Sequence, residues 1–557
     1  MSAASILRDP WVWLTAMGLA FLTLAFSSLR VKSVTVDEFG HLPAGYNLLR
    51  TGDFRHAELN PPLVNALSAL PLLPMRLEAS STATDVEVSG PYRFWTDGYR
   101  FMFDHAADYQ RAFVAARSVI VLSTLLTGLL LFGWARKLVP ARPDRAGLLA
   151  AGLFWFSPQI LAHGRLVTTD AGAACFVALS VWAFWLFVRE PNAARTLGCG
   201  AALGLAALAK FTTVFLYPVY LGLTLGSCIT DEKTDRWKRL GLLLGAFAVS
   251  GLAINAGYLF QGTLQPIGSH EWVSGPFRVA ERLLPDRLPV PLPEDYVEAF
   301  DRQARDARAG DPSYLFGQAY QGGRWYYFPV LLALKTPVPT ILLAAIALVL
   351  ALRFRPLHRF DQLVLLLPPL VLLATLSLFS DKQVGLRMIL PGEPLVWLWV
   401  AATLAAVPWS RLLAGTTGLL LLWLAWEVLS IHPNYLAYFN QAAGGPSRGY
   451  LRAVDSNLDW GQDLIQLRRF MDAESIESIQ LLYFGRAAPE IYGIDYVVPR
   501  DEVEPGWLAV GVSLYALPYY LYDHGRIVPT RPVGSDRARW GEPVATIGHS
   551  MHVYRVR

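Results

Sequence analysis

Two adjacent acids, Asp37 and Glu38, directly follow the first long apolar run of the sequence. A carboxylate beside a membrane segment can accept a proton from an attacking hydroxyl group, a role that typically contributes about 10²–10⁴-fold in rate. Ionisable groups near the hydrocarbon layer are costly, about 2.5–3.5 kcal/mol each at the bilayer centre, so they usually mark functional sites. Asp37 and Glu38 are therefore the first candidates for chemistry.

Basic residues at the ends of other apolar runs predict a second kind of site. Arginine offers a phosphate group two parallel hydrogen bonds, and lysine offers it a compact positive charge. We expect such residues to neutralise a phosphate or diphosphate held at the membrane interface. The candidates are Arg165, Lys210, Lys335, Lys382 and Arg387.

Polar residues that accompany these charges complete the predicted pocket. Glu58 and Asn60 lie in the first long loop, and His163 and Asp170 join two apolar runs. Carboxylate oxygens are suitable ligands for divalent cations, so a metal ion at Asp37, Glu38 or Asp170 is left open. No spacing in the sequence is a metal-binding signature, and no other cofactor is predicted.

Each of these residues also has a structural interpretation. Asp37 and Asp170 are of the type that caps helix N-termini. Lys210 and Lys335 could extend their ammonium groups to the interface, and Asn60 precedes two prolines that suit a helix entry. Their shared location on one side of the membrane favours the functional interpretation.

The composition requires a membrane. Of the 557 residues 54% are hydrophobic and only 17% charged, which exceeds the apolar content of a soluble core with ordinary charge. The net charge of +4 is small and dispersed among short loops, so nucleic acid is not an expected partner. The three cysteines fall within apolar runs and indicate neither disulfides nor a zinc site.

Apolar runs of membrane-spanning length predict a polytopic α-helical protein with about eleven transmembrane helices. The N-terminal run continues into Arg-Val-Lys rather than a cleavage site, so we interpret it as a retained span. The predicted spans are 11–29, 112–133, 147–162, 171–188, 197–209, 211–228, 240–260, 327–352, 362–379, 387–407 and 412–431.

Basic loops predict the orientation. Arginines and lysines concentrate in alternate loops, as the positive-inside rule requires of cytoplasmic loops, which places the N-terminus inside and the C-terminus outside. Residues 1–431 then form a transmembrane domain with long external loops at 30–110 and 261–326. Residues 432–557 form an extracytoplasmic α/β domain, with a helix near 463–473 and strands beginning at Ser478 and Trp507.

The motifs that carry these residues resemble a known family. They are similar to the type C glycosyltransferases of the protein O-mannosyltransferase group (family 39) and the related lipid A aminoarabinose transferases. The most specific motif is Val36-Asp37-Glu38-Phe39, followed by Leu59-Asn60-Pro61-Pro62-Leu63. Supporting motifs are Gly164-Arg165-Leu-Val-Thr-Thr-Asp170, Gly204-Leu-Ala-Ala-Leu-Ala-Lys210, Leu334-Lys335-Thr-Pro337 and Arg387-Met-Ile-Leu-Pro391.

The resemblance implies roles for these positions. It makes Asp37 the catalytic base, Glu38 the second acid of the pair and Asp170 a further acid near the site. Arg165, Lys210 and Arg387 take positions suited to the phosphate of a lipid carrier. The implied partners are a polyprenyl-phosphate sugar donor, a glycan, lipid or protein acceptor, and membrane lipids.

The sequence departs from the family at two places. Asn60 and Asn65 stand where relatives often carry a basic residue beside the two prolines, so the phosphate charge is met elsewhere or the donor differs. The segments His432–Asn440 and Asp455–Asp463 are similar to the tails of prokaryotic members whose function is undefined. They do not resemble the β-trefoil insert of eukaryotic protein mannosyltransferases.

These observations predict inverting transfer of a sugar from a polyprenyl-phosphate carrier to an acceptor hydroxyl, at the outer face of a prokaryotic cytoplasmic (inner) membrane. The alternative is a transporter or flippase of lipid-linked anions. Such a protein would place its charges at midplane helix breaks in both halves of the chain. A transferase of phosphoethanolamine or acyl groups would instead need a metal cluster or an activated hydroxyl in the C-terminal domain.

Overall fold

Long apolar helices joined by polar turns make up most of the chain, because only internally hydrogen-bonded segments of this length can cross a bilayer. The computed structural model describes residues 9–75, 77, 93–230, 236–500, 502–524 and 526–557. The helices before the first long hairpin are α1 Pro10–Leu29, α2 Glu38–Thr51, α3 Leu63–Ala69, α4 Arg93–Asp104, α5 Tyr109–Leu138, α6 Pro143–Trp155, α7 Pro158–His163, α8 Thr169–Arg189, α9 Ala193–Ala209, α10 Leu216–Thr230, α11 Arg236–Gly257, α12 Gly275–Leu283 and α13 Glu294–Ala309.

The second half of the chain adds five apolar helices and all of the strands. These elements are β1 Ser313–Leu315, β2 Gln318–Tyr320, α14 Tyr327–Lys335, α15 Val338–Phe354, α16 Arg359–Phe379, α17 Glu393–Ala406, α18 Arg411–Ile431, α19 Leu464–Ala473, β3 Ser478–Leu482, β4 Asp495–Val497, β5 Gly506–Gly511, β6 Tyr519–Asp523, β7 Arg526–Thr530, α20 Arg537–Trp540, β8 Ala545–Ile547 and β9 Met551–Val556.

Among the described residues, eight helices are long and apolar enough to cross a membrane. They are α1, α5, α8, 211–228, α11, α16, 386–406 and α18. A ninth candidate is α14 with α15, which meet at an angle of 110°. Pro337 explains the bend, because the residue before a proline avoids the helical conformation, and Thr336 is extended (ψ 133°). The predicted polytopic helical class is confirmed.

The two remaining predicted spans are helical but short. The segment predicted at 147–162 divides into α6 and α7 at Ser157, which is extended and precedes Pro158. The segment predicted at 197–209 is α9, whose 17 residues extend about 25 Å, the lower limit for a bilayer crossing. Among the described residues, each helix that is long and apolar enough to cross a membrane therefore corresponds to a predicted span, whereas the short apolar helix at Leu63–Leu72 lies outside the predicted spans.

The predicted long loops are folded and pack at the same end of the bundle. The first contains α2, α3 and α4, and the second contains α12, α13 and the β1–β2 hairpin. Helices α2 and α3 approach closely at Gly45, where an added Cβ would overlap the main-chain carbonyl of Asn65. The amide of Gln303 on α13 donates to the Leu59 carbonyl at 2.6 Å, which ties the second loop to the first.

The C-terminal region contains the predicted α/β elements. Helix α19 precedes a mixed five-stranded sheet of order β4-β3-β5-β9-β8. Strand β3 pairs parallel with β4 and β5, whereas β9 pairs antiparallel with β5 and β8. The predicted strands at Ser478 and Trp507 correspond to β3 and β5.

The span 386–406, called the central span below, is more deeply buried in the protein than the other membrane helices. In 386–406, 89% of the apolar window is buried inside the protein, against 28% in α18. Arg387 stands at the start of this central span and is therefore held from several sides.

Candidate functional site

Asp37 stands at the junction of the first membrane helix with the first loop. It occupies the N-cap position of α2, yet its side chain makes no capping hydrogen bond. Its carboxylate instead accepts an ion pair from Arg387, with 2.8 Å between Nη2 and Oδ2, and keeps 24% of its side-chain surface exposed. The capping interpretation is therefore wrong for the side chain, which is accessible to a substrate.

Asp170 and Lys210 belong to the same charged cluster. Asp170 is fully buried and accepts from the Lys210 ammonium group and from Nη1 of Arg387, the latter at 3.1 Å. Arg387 thus bridges Asp37 and Asp170 with its two Nη atoms. The charged cluster, defined here as Asp37, Asp170, Lys210 and Arg387, joins α2, α8, the end of α9 and the span 386–406.

Arg387 is also held by the segment that follows the last membrane helix. Its Nε donates to Ser456 Oγ at 3.2 Å, and its guanidinium lies 4.4 Å from the ring centroid of Trp460. A cation over an indole face gains about 0.5–2 kcal/mol, more where water is excluded. Trp460 is 1% exposed and also contacts the His163 ring, at 6.1 Å between centroids.

Main-chain pairing brings this segment beside Asp37. The Val36 amide donates to the Trp460 carbonyl at 3.0 Å, and the Ser33 amide donates to the Gln462 carbonyl at 2.9 Å. Ser33 Oγ donates to the Gly461 carbonyl, a partner 428 residues away in sequence. The approach to Asp37 is therefore fixed by residues of the C-terminal region.

A buried ion pair anchors the same contact. Lys32 Nζ lies 2.5 Å from Asp463 Oδ1 and also donates to Asn434 Oδ1. The second carboxylate oxygen of Asp463 accepts from Ser550 Oγ at 2.5 Å. Burial lowers the pKa of Lys32 from its ordinary value, although Asp463 opposes this effect.

Glu38, the neighbour of Asp37, has a different environment. It is completely buried, and its two oxygens accept from Nε (2.8 Å) and Nη2 (2.6 Å) of Arg117. The same oxygens accept from the amide and hydroxyl of Thr35 and from the Val167 amide. Burial alone would raise the pKa of Glu38, but Arg117 and these donors hold it below its ordinary value. These contacts favour a structural role.

Arg165 is a buried cation that lacks an acidic partner among the described residues. It is 1% exposed, its Nε donates to the Leu161 carbonyl, and its buried Nη1 has no hydrogen-bond partner. Burial and the nearby Arg117 lower the pKa of Arg165 to about 10, so it remains charged at neutral pH. An unpaired buried charge costs several kcal/mol, which an anionic ligand would offset.

The remaining predicted cations are less well placed for a ligand. Lys335 is buried and donates to the carbonyls of Leu436 (2.9 Å) and Asn457. Lys382 faces Asp311 of the second loop at 3.4 Å and is 31% exposed. No described contact joins Lys382 to the charged cluster.

The predicted pocket residues separate into two groups. His163 is fully buried beside Trp460, and neither ring nitrogen has a hydrogen-bond partner in the described part of the chain. Glu58 instead accepts from the Phe94 amide at 2.9 Å, and the Asn60 amide donates to Ala57. No described contact links Glu58 or Asn60 to Asp37.

Candidate metal ligands also fall in two places. Glu38 and Asp170, which the sequence offered as ligands, are occupied by Arg117 and by Lys210 with Arg387. Within the described ranges, the group whose ligand atoms lie within 4.8 Å of one another is His270, Glu294 and Glu298, in the second loop.

Sequence reasoning missed three contributors to the site. Arg117 lies inside the predicted span 112–133, and a charge within a span is a signal that a buried partner exists. Ser456 and Lys32 carry no such signal, because their roles depend on contacts between the two ends of the chain.

One segment of the sequence matches a family profile. Residues 110–254 match the profile of the family described as dolichyl-phosphate-mannose-protein mannosyltransferase. The matched segment extends from α5 to α11 and carries His163, Arg165, Asp170 and Lys210. No curated protein sequence matches the chain.

Solved structures show weak overall similarity. ArnT from Cupriavidus metallidurans bound to undecaprenyl phosphate is 14% identical, with 93% of this chain and 97% of that chain covered and a TM-score of 0.47. The archaeal oligosaccharyltransferase AglB from Archaeoglobus fulgidus, in complex with an inhibitory peptide and a dolichol-phosphate, is 11% identical, with 96% and 75% covered and a TM-score of 0.46.

The membrane helices and the family match define the class of this protein, which is a membrane glycosyltransferase. The match over residues 110–254 also confirms the resemblance to the protein O-mannosyltransferase group that the motifs indicated.

Proposed function

We propose that this protein transfers a sugar, with inversion, from a polyprenyl-phosphate carrier to an acceptor hydroxyl, and that Asp37 is the general base. The observation that carries the proposal is the accessible carboxylate of Asp37, held by Arg387 within a site of buried cations. A lipid-linked donor is supported by the family description, which names a dolichyl-phosphate sugar.

Charge supports the position of the donor. Arg165 is buried without an acidic partner, whereas Arg387 and Lys210 are each neutralised by carboxylates. An anionic phosphate would therefore be stabilised most by binding at Arg165, because it would displace no existing ion pair there. His163 and Trp460 are buried in contact with each other, and Trp460 also packs against Arg387 of the charged cluster.

The reaction that follows from this arrangement is a single displacement. The acceptor oxygen attacks the anomeric carbon, its proton passes to the Asp37 carboxylate, and the bond between that carbon and the phosphate oxygen breaks. Polyprenyl phosphate leaves with the bonding electrons. Arg165 and Arg387 stabilise the negative charge that develops on the leaving phosphate.

A deletion strain of the source organism tests the donor and the base together. Mass spectrometry of its lipids should show an accumulating polyprenyl-phosphate sugar and a missing glycoconjugate. The wild-type gene should reverse both changes, whereas Asp37→Asn should not, since loss of a general base typically costs about 10²–10⁴-fold. Full complementation by Asp37→Asn at equal membrane abundance would refute the assignment of the base.

The identified donor then tests the stereochemistry and the alternative of a flippase. NMR of the product should show an anomeric configuration opposite to that of the donor. A flippase would move the labelled lipid across a vesicle membrane without forming a glycosidic bond, which would overturn the proposed transfer.

A further inference from the structure

The segment Asp455–Trp460 enters the catalytic site from the C-terminal region. In addition to the Ser456 and Trp460 contacts with Arg387, Asn457 accepts from the Leu386 amide at 3.0 Å and, through its carbonyl, from Lys335. Its first residue, Asp455, has not yet been assigned a role.

Asp455 adopts a backbone conformation that is unusual for its residue type. Its φ angle is +60°, a left-handed value that costs a non-glycine residue about 1–2 kcal/mol. The conformation is imposed by fixed contacts: its amide donates to Ser513 Oγ at 3.0 Å, and its carbonyl accepts from the amides of Leu458 (2.8 Å) and Asp459 (3.0 Å). Strain of this kind is concentrated at functional sites.

The Asp455 carboxylate retains hydrogen-bonding capacity. It accepts from the adjacent Ser456 amide, and within the described ranges it forms no ion pair. Asp455 is partly exposed, whereas the following residues Ser456, Asn457 and Asp459 are buried. By contrast, Glu38 and Asp170 are fully buried and ion-paired, the first with Arg117 and the second with Lys210 and Arg387.

The charged groups that act on Asp455 include Arg387 and Asp37, so Asp455 lies near the charged cluster. Arg387 attracts its negative charge, and Asp37, Asp311 and Asp459 repel it, while the phenol groups of Tyr327 and Tyr519 also lie within electrostatic range. The partial enclosure of its carboxylate raises the pKa of Asp455 to about 7, because the favourable charge of Arg387 does not compensate for the hydration that is lost.

From this geometry we infer that Asp455 is a substrate-contacting residue, whose carboxylate accepts a hydrogen bond from a hydroxyl group of one of the two substrates and orients it beside Asp37. The inference rests on the proposed function. A phosphate would be repelled by this carboxylate, so the ligand is a neutral hydroxyl, either of the acceptor or of the sugar being transferred.

Asp455→Asn tests the inference with little change in shape, because asparagine also tolerates the left-handed conformation. A hydrogen bond to a charged group contributes enough that its loss should lower kcat/KM about 10- to 100-fold. A higher KM for the acceptor identifies an acceptor hydroxyl, whereas a higher KM for the donor identifies the sugar. We expect the kcat/KM profile of the wild-type protein to show an ionisation near pH 7 and that of Asp455→Asn to lack it.

Two further variants separate contact from folding. Asp455→Gly removes the carboxylate and relieves the backbone strain, so it should fold and show the same kinetic loss. Asp472→Asn, an exposed residue of α19 paired with Arg468, should retain wild-type kinetics. Unchanged KM values and an unchanged pH profile in both Asp455 variants would overturn the inference.

The outcomes also distinguish this inference from the proposed function. If the wild-type protein forms no glycosidic bond, the proposed function fails. If wild-type protein transfers sugar and Asp37→Asn does not, while both Asp455 variants behave as wild type, only the role of Asp455 is refuted.

Discussion

At the scale of single residues, the neighbouring acids Asp37 and Glu38 differ in what holds them. Asp37 is accessible and has one ionic partner, whereas Glu38 is enclosed by Arg117, Thr35 and Val167. Although both side chains are carboxylic acids, we therefore expect mutation of Asp37 to affect activity and mutation of Glu38 to affect stability.

Glu38→Gln should destabilise the protein by about 3–5 kcal/mol, because it leaves the buried Arg117 charge without its partner. The pKa of Glu38 is lowered in the folded state, so the pair stabilises the protein above the ordinary glutamate pKa. That stability is lost as the pH falls through the folded-state pKa. Thermal unfolding in detergent between pH 7 and pH 3 should show a weaker acid dependence in Glu38→Gln.

Asp37→Asn is the matched control for this measurement. It should unfold at nearly the wild-type temperature while losing sugar transfer. If Asp37→Asn proved as unstable as Glu38→Gln, the distinction between the two acids would be wrong.

Arg165→Gln should weaken binding of polyprenyl phosphate about 10- to 100-fold, because the buried guanidinium supplies a charge-assisted contact that glutamine cannot. Native mass spectrometry with a short-chain polyprenyl phosphate measures this directly. Arg500→Gln, on an exposed residue of the C-terminal region, should bind as wild type. Equal affinity of the Arg165 variant would show that the phosphate is held elsewhere.

At the scale of residues, the sequence indicated which charged side chains to consider but not which of them contact each other. The adjacent acids and Arg165, Asp170, Lys210 and Arg387 were found because charges beside apolar runs are rare and visible. The sequence did not predict how these residues pair. Asp170 is shared by two cations, Lys210 and Arg387, and Glu38 pairs with Arg117. Such choices depend on distances between helices that are far apart in sequence.

At the scale of elements, α2 and α3 determine how the first loop is held over the bundle. Helix α2 begins at Glu38 and α3 follows Pro62, and their contact at Gly45 leaves no room for a side chain. The apolar pattern predicted the membrane helices because their faces must meet lipid. It did not predict α2, α3 or α4, whose positions depend on such local contacts.

Gly45→Ala should lower both stability and activity. Its methyl group would overlap the Asn65 carbonyl, and enlarging a well-packed contact costs about 1–3 kcal/mol. Gly198→Ala on α9, where a methyl group meets nothing within 4 Å, should be neutral. Melting temperatures of the two variants provide the comparison, and equal values would contradict the packing argument.

At the scale of the whole molecule, the charged cluster and both long loops lie at one end of the bundle, and the basic loops predict that this end is external. Glu474 is exposed in the C-terminal region, and Arg353 is exposed at the end of α15 in a predicted cytoplasmic loop. These two positions therefore report the orientation of the chain.

Glu474→Cys in intact cells should react with a membrane-impermeant maleimide, whereas Arg353→Cys should react only after permeabilisation. The unmodified chain, whose three cysteines lie in the apolar helices α8, α9 and α10, provides the background signal. The opposite labelling pattern would reverse the predicted topology.

The main-chain pairing of residues 33–36 with 460–462 has a consequence for biosynthesis. The two segments of this contact are separated by 428 residues at Ser33 and Gly461, so the first leaves the ribosome long before the second exists. Asp37 can acquire its final position only after the last membrane helix has been inserted and the C-terminal region has folded back. A nascent chain that already contains Arg165 still lacks this contact, so we expect the proposed transfer to begin only after residues 460–462 have been synthesised and have folded back.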